Sequence, residues 1–200
     1  MKILYSDKDI VALIKPVGLD SEREVPDKLE SQLGGEFFTV HRLDKNVGGV
    51  MDYARNRITA AALSKTIQQG EMVKEYVALV HGIPPENGVL EDLLFKDSKK
   101  NKVFVVKRER KGVKQAKLEY RLIKTYEETS LVRIRLYTGR SHQIRVQFAS
   151  RGFPLVGDRK YGARDKSKAP MLYSCKITFP YKNKTVSFES MPDWAENVIG

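Results

Sequence analysis

The chain has 200 residues, of which 41% are hydrophobic, and its 36 Lys and Arg against 25 Asp and Glu give a formal net charge of +11 and a pI near 9.6. That length and apolar share suffice for one domain with a buried core and exclude two large ones. The positive excess points to a polyanionic partner, nucleic acid before an anionic membrane surface, and the single cysteine, Cys175, excludes an internal disulfide and a cysteine-based zinc site.

Residues 3–5 and 10–14 read as short strands around Asp7-Lys8-Asp9. The N-terminus has no apolar core of signal-peptide length, and the early apolar run is strand-sized, so a cytoplasmic protein without a membrane span is expected. Pro16 and Gly18 end the second strand, one by removing a donor and the other by permitting a turn. Residues 20–35 are charged and weakly periodic, which suggests a loop with one helical turn near 29–33. Residues 37–40 form a strand leading into His41-Arg42-Leu43-Asp44, followed by Lys45-Asn46-Val47-Gly48-Gly49-Val50. A helix then starts at Asp52 or Arg55, carries Ala60, Leu63 and Ile67 on one face, and stops at Gly70.

Residues 73–80, with Tyr76 among them, are strand-like and end at Gly82, Pro84 and Pro85. Residues 96–117 are the most basic segment and enclose the apolar run Val103-Phe104-Val105-Val106. A β-ribbon with basic flanks satisfies both features, because the apolar run needs burial; a solvated charged face is the plainer alternative. Residues 118–122 and 132–136 alternate apolar and polar as half-buried strands do. The second runs into Thr138-Gly139-Arg140-Ser141-His142-Gln143, where Ser141 is the expected cap of a short helix bearing Ile144 and Phe148. Residues 154–161 form a loop; 172–174, 176–179 and 186–189 are closing strands, with 181–184 as the last turn. The outcome is one compact, strand-rich α/β or α+β domain.

Three candidate chemistries stand out. Asp44, taken alone, is a surface ion pair with Arg42 or a turn residue, or else a reactive carboxylate. Arg140 beside a helix start favours an anion, either a phosphate or a carboxylate such as Asp44, or it is simply solvated. Tyr76 is a core tyrosine or a platform on which a flipped base stacks. His41, His81 and His142 show no metal-ligand spacing, so no metal site is expected.

In order along the chain, these segments resemble the RluA-type family of RNA pseudouridine synthases. The similarity begins at Ile14-Lys15-Pro16-Val17-Gly18-Leu19 and continues at His41-Arg42-Leu43-Asp44. Lys74-Glu75-Tyr76-Val77-Ala78-Leu79-Val80-His81-Gly82 is similar to the family's tyrosine-bearing strand. Gly139-Arg140-Ser141-His142-Gln143-Ile144-Arg145-Val146 is similar to its second signature, and Leu155-Val156-Gly157-Asp158 with Tyr161-Gly162 to the block after it. One departure follows the aspartate: the family commonly has Thr-Ser-Gly where this chain has Val47-Gly48-Gly49, so something other than those hydroxyls must hold the loop.

The resemblance implies an α+β fold: a single domain, 1–200, with a central, bent, mixed and largely antiparallel β-sheet, short helices and loops around it, and an active-site cleft across the sheet. No separate N-terminal RNA-binding domain is expected. The implied reaction converts uridine to pseudouridine in ribosomal or transfer RNA, by a monomer and without a cofactor. Asp44 would be the nucleophile or base, Tyr76 would pack on the uracil, and Arg140 would pair with Asp44. Arg42, His41, Lys15, Lys74, His142 and Arg145, with Lys99, Lys100 and Lys102 of the basic segment, are the expected RNA contacts. The competing expectation is a non-catalytic RNA-binding or ribosome-assembly protein with the same fold.

Overall fold

A computed structural model describes residues 1–196 of the protein. In chain order its elements begin β1 (Lys2–Ser6), β2 (Ile10–Lys15), α1 (Glu24–Leu33), β3 (Phe38–Thr39), β4 (Gly48–Ala54), α2 (Arg57–Gln68) and β5 (Val73–His81). They continue with β6 (Asn87–Asp97), β7 (Lys102–Val106), β8 (Val113–Thr125), β9 (Thr129–Leu136) and α3 (Gln143–Ala149). A 3-10 turn at Arg159–Tyr161, β10 (Leu172–Tyr181), β11 (Lys184–Glu189) and α4 (Asp193–Glu196) complete it. The expected class holds: an α+β protein with short helices and a mixed, largely antiparallel sheet. The chain divides into two compact units, residues 1–74 with 173–192, and 75–172 with the segment from Asp193.

In the first unit β2 lies between β1 and β4, antiparallel to both, and β10 joins β4 in parallel through Tyr173↔Gly48 and Ser174↔Gly49. Ile10, Val11, Ala12 and Leu13 are all fully buried, as an apolar run in an inner strand should be. Ile10, Val50, Ala54, Leu63, Met72, Ile177 and Phe179 form the core, with Ala60 and Ile67 of α2 packed against it. Burying each large apolar side chain contributes about 1.5–3 kcal/mol. Asn56 caps α2 by accepting from the Thr59 N–H at 2.8 Å. At the β10–β11 hairpin Lys182 and Asn183 both take positive φ, as a tight two-residue turn demands.

In the second unit the strand order is β5-β9-β8-β6-β7. Here β6 pairs with β7 and β8, and β8 with β9, all antiparallel. The expected basic ribbon is therefore real: Val103 turns inward to Leu94, Ala116, Val146 and Tyr161, while Phe104 remains 36% exposed.

Four expectations are corrected. Residues 48–54 do not begin a helix; they are the wholly buried strand β4, and the helix starts only at Arg57. Two strands expected at 172–174 and 176–179 are one, β10. Residues 24–33 form a full helix, because Val25 and Leu29 bury one face and Asp20 and Glu24 satisfy backbone N–H groups at its entry. Finally, α3 begins at Gln143 rather than after Ser141; His142 precedes it at φ 50° and no side chain caps it.

Candidate active site

Asp44 sits half-buried in the turn between β3 and β4, and its carbonyl accepts from the Val47 N–H at 2.9 Å. The hydroxyls absent from positions 47 and 48 are replaced by contacts from the preceding block. The Gly18 N–H donates to the Lys45 carbonyl at 2.8 Å, and Ser21 Oγ donates to the Leu43 carbonyl at 3.0 Å. Lys15 is fully buried and its ammonium donates to the carbonyls of Leu19 at 2.8 Å, Pro16 at 3.0 Å and Lys45 at 3.4 Å. Burial pushes its pKa down to about 8, against the pull of the Asp20, Asp44 and Glu24 carboxylates. Lys15 is thus an internal clip for the Asp44 turn and not an RNA contact, which corrects the expectation. Gly49, at φ +125°, lies so close to β10 that a Cβ there would collide with the Ser174 carbonyl oxygen and come within 2.6 Å of its nitrogen.

His41 also turns inward. It is buried, its Nε2 lies 2.7 Å from Asp52 Oδ1, and its Nδ1 has no solvent access, so it offers RNA no polar atom. The expected RNA contact at His41 is corrected accordingly. Lys74 is half-buried; burial lowers its pKa while the Asp52 charge opposes that shift. The cations flanking Asp44 remain outside. Arg42 Nη1 is 2.8 Å from Glu22 Oε2, and Lys45 Nζ is 3.0 Å from Glu24 Oε2.

In the second unit Tyr76 is buried on β5, beside an ion pair of Glu75 with Arg133 at 2.7 Å. Gln143 organises the following signature: its Oε1 accepts from Arg140 N at 3.1 Å and Thr138 Oγ1 at 2.8 Å, and its Nε2 donates to the Lys117 carbonyl at 3.1 Å. Arg140 is exposed; its Nε donates to the Gln115 carbonyl at 2.9 Å, and it pairs with no carboxylate among the described residues. The expectation that Arg140 forms a buried ion pair is corrected, because it precedes the helix and stays on the outer side of the turn. Arg145 of α3 is buried instead, forked onto Asp158 and lying 5.1 Å from the centre of the Tyr161 ring, so the RNA contact expected of it is corrected as well. His142 Nδ1 meets the Tyr161 hydroxyl at 2.8 Å, and that oxygen accepts from the Val103 N–H at 2.9 Å.

Lys99 and Lys100 stand exposed in the turn between β6 and β7. Lys102 lies over the rings of Phe104 and Tyr161, at 5.8 and 5.3 Å. Arg110 covers Phe95 at 4.4 Å. This ribbon presents cations with aromatic faces between them, a composition suited to a nucleic-acid backbone and its bases. Sequence reasoning missed Asp52, Asp158 and Tyr161 as partners. Asp52 left a signal: it is a lone carboxylate within the otherwise apolar or aromatic run Val50-Met51-Asp52-Tyr53-Ala54.

The architecture and its signature turns define the pseudouridine synthase class of fold. The solved human RNA Pseudouridylate Synthase Domain Containing 1 superposes with a TM-score of 0.85 at 21% identity, over 98% of this chain and 85% of that one. The RNA pseudouridylate synthase family model matches residues 9–150, and the chain belongs to that family, in its RluA-type branch. An uncharacterised RNA pseudouridine synthase of Aquifex aeolicus is 35% identical over 90% of this chain and 63% of its own length. Ribosomal large subunit pseudouridine synthase D of Borreliella burgdorferi is 32% identical over 88% of this chain and 60% of its own. The chain thus spans 63% and 60% of the length of these curated relatives.

Proposed function

We propose that this chain isomerises uridine to pseudouridine in RNA, with Asp44 as the nucleophile or base at the ribose. The observation that carries this is the family match over residues 9–150, which includes His41-Arg42-Leu43-Asp44. In the reaction the glycosidic C–N bond breaks, the uracil turns in place, and a C–C bond forms from C5. The C5 proton is lost and the freed nitrogen gains one, so atoms balance without water or a redox partner. A single carboxylate suits that course better than the paired carboxylates that deliver water in glycoside hydrolysis.

Tyr76 would pack on the uracil and assist removal of the C5 proton. The charge-organising role first expected of Arg140 passes to Arg145; burial and the fork onto Asp158 support that assignment. Arg140 and Arg42, both exposed, would meet the RNA backbone together with Lys99, Lys100 and Lys102. His142 and Lys74 remain candidate contacts. Extruding the target base costs a few kcal/mol, which phosphate contacts offset. A curated relative named for the large ribosomal subunit favours ribosomal over transfer RNA as the substrate. Action as a cytoplasmic monomer rests on the sequence alone.

The test is pseudouridine mapping in ribosomal RNA incubated with the wild-type chain and with Asp44→Asn. The wild type should modify a defined uridine. The variant should bind the RNA and leave it unmodified. An active Asp44→Asn would remove Asp44 from the chemistry, and a wild type that binds without modifying would favour the non-catalytic RNA-binding alternative.

A further inference from the structure

We infer that Asp52 is a positioning residue for the Asp44 turn, acting through His41; this rests on the proposed role of Asp44. Asp52 lies in β4, where every residue from Gly48 to Ala54 is buried, and period-two alternation puts it on the same face as the core residues Val50 and Ala54. A carboxylate there is costly, and an apolar residue of similar volume would serve stability as well or better. The pair is also incomplete as a structural network. His41 Nδ1 and Asp52 Oδ2 are both buried without a hydrogen-bond partner. A buried polar group left in that state calls for a reason other than packing.

The position of His41 supplies the reason. It stands three residues before Asp44, in a segment that belongs to neither β3 nor β4. On the C-terminal side the turn is fixed by the Gly18 N–H and the Lys15 ammonium, both on the Lys45 carbonyl. On the N-terminal side Ser21 holds the Leu43 carbonyl, and the 2.7 Å contact from Asp52 fixes the His41 ring. Asp44 is thereby bracketed, with one anchor rooted in the rigid centre of a core strand. Asp52 touches no reacting atom in this scheme. It sets where the backbone carrying Asp44 lies.

The experiment compares the full wild-type chain with Asp52→Leu, Asp52→Asn, His41→Phe and the double variant His41→Phe/Asp52→Leu. The readouts are single-turnover pseudouridine formation at saturating RNA, KM, RNA affinity and Tm. Displacing the reactive group by about an ångström should slow turnover about 10- to 100-fold in Asp52→Leu and His41→Phe, with KM and RNA affinity unchanged. Because the two residues act as one unit, the double variant should be no slower than either single one. It should also keep or raise Tm, since an apolar pair replaces a buried polar one. Asp52→Asn, which retains an oxygen for His41, should recover most of the rate. Should Asp52→Leu alone fail to fold, the double variant carries the decision. Turnover within two-fold of wild type in the double variant, losses that multiply, or a rate that merely follows Tm would each overturn the inference. An inactive wild type would overturn the proposed function itself, whereas an active wild type with fully active variants overturns this inference alone.

Discussion

Arg145 and Asp158 are joined by two parallel contacts, Nε to Oδ2 at 2.6 Å and Nη2 to Oδ1 at 2.8 Å, and both side chains are buried. The fork is specific to a guanidinium, since an ammonium cannot donate along two parallel lines. Removing the guanidinium strands the buried Asp158 carboxylate. Arg145→Met should therefore lower the unfolding free energy by about 3–5 kcal/mol, and Arg145→Lys should fail to preserve the fork. Chemical denaturation measures both, and a loss below 1 kcal/mol in Arg145→Met would contradict this reading of the pair.

Lys15 gives a pH signature. Its folded pKa, about 8, is below the ordinary 10.5 of a lysine. Between those values the unfolded chain binds a proton that the folded chain has released, so the Lys15 contribution to stability rises with pH across that window. Below pH 8 the folded state carries the full cost of the buried ammonium. Stability measured at pH 7.5 and 10 in wild type and Lys15→Met should reveal a smaller rise in the variant. Equal rises would assign the window to other groups.

Gly49→Ala should be strongly destabilising. The new Cβ would strike the Ser174 backbone, and the φ of +125° is strained for any side chain. Strain of this kind alone costs about 1–3 kcal/mol, and neither backbone can yield without breaking the β4–β10 pairing. A thermal melt of the variant within a degree or two of wild type would refute the close approach.

Arg42 is held by Glu22 at the surface, with both side chains 51% exposed. If RNA takes Arg42, the carboxylate competes with phosphate. Glu22→Gln should then tighten RNA binding at low salt, by no more than about five-fold since exposed pairs are worth 0.2–1 kcal/mol. The gain should vanish at high salt. Titration at two ionic strengths checks it, and weaker binding by the variant would remove Arg42 from the RNA contacts.

Replacing Lys99, Lys100 and Lys102 together by Gln should flatten the dependence of RNA affinity on salt. Each phosphate contact contributes roughly 0.7–0.9 to the logarithmic slope, so three lost contacts lower it by about 2. An unchanged slope would return this turn to an ordinary solvated surface.

The sequence by itself determined the strands with alternating or continuous apolar runs, the apolar face of α2 through Ala60, Leu63 and Ile67, the basic ribbon around Val103, and the spaced signatures around Asp44, Tyr76 and Arg140. These are legible because periodicity and turn chemistry act over a few residues. Which way single polar side chains face was decided only by the tertiary structure. Lys15 and His41 look like surface cations until Lys45 and Asp52 come to meet them, and Arg140 and Arg145 are told apart only by Gln115 and Asp158. Residues 48–54 resemble a loop running into a helix, yet the glycine at 49 is required by the backbone of Ser174, far along the chain. Burial of a charge depends on partners that no local pattern specifies, because the desolvation cost is met by contacts between segments brought together only on folding.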